Sequence, residues 1–99
     1  MGDETMCERV AQDFPGLAAR MREREALGLA RYGRTLDPYD GRDWVRETRE
    51  EVADAVVYLT AASHMLAGQE QDESGLVRWV RIREIRRRLA EALEELESL

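Results

Sequence analysis

The sequence predicts an all-α fold: a small helical domain of about three main helices, completed as a helical bundle by self-association. Three observations predict it. Apolar residues recur at three- and four-residue spacing over long stretches, the period of an amphipathic helix. No alternating run lasts long enough to organise a sheet. Ninety-nine residues with 43% hydrophobic content fit one small domain, and so limited a core leaves the third helix seeking more cover. We therefore expect a single domain over residues 1–99, with residues 1–12 as a flexible or short helical extension.

The first helix is expected from about Phe14 to Arg31. Asp13 can cap it, Pro15 suits its first turn, and Leu17, Ala18, Met21, Ala26, Leu29 and Ala30 give an apolar surface. Met1 to Thr5 read as frayed. Tyr32 to Arg42 is a connection, because Gly33, Pro38 and Gly41 interrupt the helical pattern and Asp40-Gly41 is a turn signal. Asp43 then caps a second helix from Trp44 to about Ala67, with Val45, Val52, Val56, Leu59, Ser63 and Leu66 on one stripe. Gly68 to Gly75 is a polar linker, with Ser74 as the expected cap of the third helix.

That third helix has an unusual charge layout. Arg78, Arg81, Arg83, Arg86, Arg87 and Arg88 occupy its first half, and Glu91, Glu94, Glu95 and Glu97 its end. The helix dipole prefers the opposite arrangement. Partner charges are therefore expected to shape the segment, and an antiparallel neighbour could pair its acidic end with this basic beginning.

Composition excludes several classes. A formal net charge of -6 disfavours nonspecific nucleic-acid binding. One cysteine, Cys7, cannot form an internal disulfide, and one histidine, His64, makes no zinc cluster. No apolar run approaches the roughly 20 residues that span a bilayer. An acidic beginning argues against a secretory signal, so a cytoplasmic location without membrane or nucleic-acid partners is expected. No P-loop, dinucleotide fingerprint or Ser-His-Asp arrangement is present.

The chemical clue lies at the start of the second helix. Glu47, Glu51 and Asp54 fall on one side of it, with Glu50 at the margin. Like charges at these spacings repel, and a divalent cation would offset that repulsion. Oxygen ligands suit Mg2+. Glu51 and Asp54 form the leading pair, Glu47 stands one turn earlier, and Glu23 or Glu25 of the first helix is the available second element. Bound Mg2+ would favour phosphoanhydride cleavage by neutralising phosphate oxygens and acidifying water. Glu50 is the candidate general base, offset from the Glu51–Asp54 pair. Arg31, Arg34 and Arg42 beside the connection are candidates for holding phosphate, and Tyr32 for contacting the ligand. The bland reading of the same acids is a solvated helix rim with Arg46 and Arg49 as ion-pair partners. Trp44 and Trp79 are expected to pack rather than to stack on a base.

The run Arg31-Tyr-Gly-Arg-Thr-Leu36, then Gly41-Arg-Asp43, then Glu51-Val-Ala-Asp54-Ala-Val-Val-Tyr58-Leu59 resembles small MazG-like proteins of the all-alpha nucleoside triphosphate pyrophosphohydrolase superfamily. The resemblance covers about Met21 to Leu66 and maps the family's Glu-x-x-Asp metal element onto Glu51 and Asp54. It implies a Mg2+-dependent homodimer or homotetramer that cleaves nucleoside triphosphates to monophosphates and pyrophosphate, by attack of metal-bound water. The chain departs from the fuller family pattern, which places Glu-x-x-Glu on one helix and Glu-x-x-Asp on the next. Here Glu47-x-x-Glu50 and Glu51-x-x-Asp54 run together on one helix. Two rival readings stand beside this one: a non-catalytic helical homo-oligomeric interaction protein with a degenerate acidic site, and a metal-dependent nucleotide binder that releases no pyrophosphate.

Overall fold

The computed structural model describes residues 4–69 and 72–99, and over these it is all-α, with four helices and no strand. They are α1 (Met6–Asp13), α2 (Ala18–Tyr32), α3 (Trp44–Ala67) and α4 (Glu73–Glu97), with a single 3-10 turn at Pro15–Leu17. The chain divides into two compact units, Met1–Arg42 and Asp43–Leu99.

In the first unit, α1 packs against α2. The sequence pattern placed a helix here from Phe14 onward, after a flexible or short helical extension; an eight-residue helix, α1, stands in that extension. Thr5 starts α1 through a capping box: its hydroxyl accepts from the Glu8 N–H at 3.1 Å, and Glu8 accepts from the Thr5 N–H at 3.2 Å. Thr5, read from the sequence as frayed, is thus the cap of α1, and residues 1–3 of that expectation lie outside the described residues. Asp13 does not cap the next helix. It ends α1, where its carboxylate pairs with Arg9 at 3.3 Å. Phe14 and the 3-10 turn redirect the chain, because Pro15 has no N–H with which to continue α1. Gly33 closes α2 in the left-handed conformation, φ 73°, with its N–H on the Leu29 carbonyl at 2.9 Å.

The second unit is an antiparallel helical hairpin of α3 and α4. Asp43 starts α3 as expected, accepting from the Arg46 N–H at 3.1 Å. For α4 the cap is Asp72 rather than Ser74: its carboxylate accepts from the Gly75 N–H at 2.8 Å, and Ser74 and Gly75 fall inside the first turn. Val52, Val56, Leu59, Ser63 and Leu66 of the stripe read from the sequence are half-buried on α3, whereas Val45, its first member, is exposed. Facing them, Trp79, Ile82, Leu89, Leu93 and Leu96 are half-buried on α4. Side-chain bonds cross the hairpin: Trp79 Nε1 donates to the Ser63 carbonyl at 3.2 Å, and Arg86 Nε donates to Thr60 Oγ1 at 2.7 Å.

No described residue is buried. Val57 (64%), Met65 (58%), Val80 (53%) and Leu76 (52%) stay more than half exposed on the hairpin. Burying a fully exposed apolar side chain is worth about 1.5–3 kcal/mol, and roughly half of that is still to be gained at each, so two helices alone leave much of the apolar surface unsatisfied.

Candidate functional site

In the first unit, a cavity of about 360 Å³ opens between the start of α1, one face of α2 and the connection that follows. Three of the four residues assigned to substrate line it: Tyr32, Arg34 and Arg42. Arg31 does not line it, and its guanidinium instead lies 5.4 Å from the centre of the Tyr32 ring. Two Asx turns shape the connection: Asp37 accepts from the Tyr39 N–H at 2.9 Å and Asp40 from the Arg42 N–H at 3.0 Å. Gly41 supplies the positive φ, 93°, that the Asp40-Gly41 signal anticipated. The Arg42 guanidinium is partly neutralised by Asp40 at 3.2 Å.

Sequence reasoning missed Arg24 as a lining residue. Arg24, Gly28 and Tyr32 recur four residues apart, so one face of α2 presents all three to the cavity. Glu25 also lines it, and its Oε1 is shielded from solvent with no hydrogen-bond partner. An unsatisfied buried acceptor costs about 1–3 kcal/mol, so this atom favours a donor in the cavity. The neighbouring Cys7 thiol is pushed above its ordinary pKa, first by burial and then by the Glu25 charge, with Arg24 opposing. Glu23, the other first-helix acid, is exposed and pairs with Arg20 at 3.4 Å.

The α3 carboxylates have a different setting. Glu47, Glu50, Glu51 and Asp54 are all exposed, on the side of α3 turned away from the half-buried Val52–Val56–Leu59 stripe. Among the described residues, no group of three or more His, Cys, Asp or Glu side chains could hold a metal ion. Glu47, Glu51 and Asp54 share a side without converging, because one helix spaces successive ligands along its axis and aims them outward. The Mg2+ expected from the sequence therefore finds no donor set on this helix alone. Glu50 pairs with Arg46 at 3.4 Å. It also lines a shallow depression with Arg49, Ala53 and Glu97. Tyr58 is exposed, His64 is exposed, and Trp79 packs within the hairpin under the Arg83 guanidinium, 4.8 Å from its ring centre.

No described helix is long and apolar enough to cross a membrane. No family model matches the chain, and neither a curated protein nor a solved structure does.

Proposed function

We propose that this chain is a helical homo-oligomeric interaction protein, with its acidic helix face serving as a charged rim rather than a metal centre. One observation carries the reading: no described residue is buried, although 43% of the sequence is hydrophobic. A helix hairpin with apolar side chains on both its inner and outer surfaces is stabilised by adding helices. The outward, non-converging α3 carboxylates suit a solvated rim. Sedimentation velocity over a concentration series tests the proposal. A dimer or larger species without added Mg2+ supports it. A cooperatively folded monomer at micromolar concentration overturns it.

A second reading has its own support. The cavity that gathers Tyr32, Arg34 and Arg42 beside Arg24 offers guanidinium groups for phosphate and a ring for a base. With the resemblance to MazG-like proteins, this cavity supports reading the chain as a Mg2+-dependent nucleoside triphosphate pyrophosphohydrolase. Pyrophosphate release from a panel of ribo- and deoxyribonucleoside triphosphates, with Mg2+ and with chelator, decides it. Mg2+-dependent release establishes the hydrolase, and no release across the panel removes it.

A further inference from the structure

We infer that α4 pairs antiparallel with α4 of a second copy, through one stripe of its surface, so that the basic half of each helix meets the acidic half of the other. This rests on the self-association proposed above and names one contact within it.

The hairpin is polarised along its length. Because α3 and α4 run antiparallel, the α3 acids Glu47, Glu50, Glu51 and Asp54 lie at the same end as Glu91, Glu94, Glu95 and Glu97 of α4. The arginine-rich first half of α4 runs alongside a part of α3 that carries no acidic residue, where Arg86 meets the Thr60 hydroxyl. Among the described residues, Arg78, Arg81 and Arg83 have no carboxylate partner. The last turn of α4 carries no basic residue to answer the negative end of its dipole. The hairpin therefore supplies excess cations at one end and excess anions at the other. A second copy turned end over end matches both.

The stripe itself is defined by spacing. Arg78, Arg81, Ile85, Arg88, Ala92 and Glu95 are separated by alternate steps of three and four residues, the a/d spacing of a coiled coil, filled here by four charged and two apolar side chains. All six are exposed, and they lie beside the α3-facing row of Trp79, Ile82, Leu89, Leu93 and Leu96. Antiparallel pairing of two such stripes about a centre between Ile85 and Arg88 makes three kinds of layer. Arg78 meets Glu95 of the second copy. Arg81 lies over the small Ala92, and Ile85 packs on the aliphatic stem of Arg88. Two-fold symmetry repeats each layer. Parallel pairing would instead set Arg78 on Arg78, Arg81 on Arg81 and Arg88 on Arg88, so repulsion selects the antiparallel orientation.

Sedimentation equilibrium on the full chain tests this, using Arg78→Glu, Glu95→Arg and the double variant, with circular dichroism to check helix content. Each single reversal should weaken dimerisation by about tenfold or more, since symmetry spoils two contacts at once. The double variant should restore the wild-type constant to within about threefold, because the exchanged charges pair again. Wild-type association should weaken as salt rises. Wild-type-like dimers in all three variants would overturn the α4 interface and leave self-association standing. A monomeric wild type would overturn both.

Discussion

Trp79 reaches across the α3–α4 hairpin to Ser63: its indole Nε1–H donates to the Ser63 main-chain carbonyl at 3.2 Å, sixteen residues back along the chain. A partly buried ring and one directional bond thus fix the register of α4 on α3. Trp79→Phe keeps most of the ring and loses the donor. It should lower unfolding free energy by about 1 kcal/mol, read from urea denaturation by circular dichroism. Trp79→Ala should cost more, because the packing is lost as well.

Two turns further along α4, Arg86 Nε donates to Thr60 Oγ1 at 2.7 Å, and that hydroxyl donates in turn to the Val56 carbonyl at 2.8 Å. Thr60→Val keeps the shape and removes both functions. A loss of about 0.5–1.5 kcal/mol is expected, and a double-mutant cycle with Arg86→Met should show coupling between the two positions.

The local stop and start signals of the helices give a separate prediction. Asp43→Ala removes the α3 cap and should cost about 1 kcal/mol. Gly33→Ala meets no neighbouring atom within 4 Å, so its cost is the backbone strain of a left-handed alanine, about 1 kcal/mol. Thermal melts of both variants, with unchanged helix content at low temperature, check this.

On the outer surface of α4, Glu84 is bonded to Arg87 and paired with Arg88 at 3.3 Å. The hydrogen bond to Arg87 is the main cause that holds its carboxyl below the ordinary glutamate range. A pKa lower in the folded than in the unfolded chain gives stability that is present above the unfolded value. That stability is lost as pH falls through the folded value. The stability gap between wild type and Glu84→Gln should be constant near neutral pH and close in acid. A gap that widens on acidification would contradict the sign.

The acids of α3 separate the two functional readings in one experiment. Glu47 and Glu51 stand four residues apart and Glu51 and Asp54 three, so as an exposed rim they repel by about 0.2–0.5 kcal/mol per pair. The double variant Glu51→Gln with Asp54→Asn should then melt slightly higher than wild type and associate normally. In a pyrophosphohydrolase the same variant should lose Mg2+-dependent pyrophosphate release.

Cys7 reports on the first unit. Burial and the Glu25 charge disfavour its thiolate, so alkylation by iodoacetamide at pH 8 should be slower than for an unstructured thiol. Glu25→Gln should speed the reaction and Arg24→Gln slow it, with rates followed by mass spectrometry.

The sequence by itself determined the elements whose signals are local. Asp43 and the apolar period set α3 over the range it occupies, Gly33 ends α2, and Asp40-Gly41 forms its turn, because caps and positive φ act within a few residues. The Thr5-x-x-Glu8 box was equally local and was legible as the start of α1, where a flexible or short helical extension was expected. Tertiary structure decided what required two elements at once. Helical spacing put Glu47, Glu51 and Asp54 on one side, yet convergence on a cation needs donors from a second direction. The cavity joins Arg24 of α2 to Arg34 and Arg42, and the connection's turns bring them together. The lengthwise polarity of the hairpin likewise arose only when α3 folded back on α4, since charge at one end depends on which residues become neighbours across the chain.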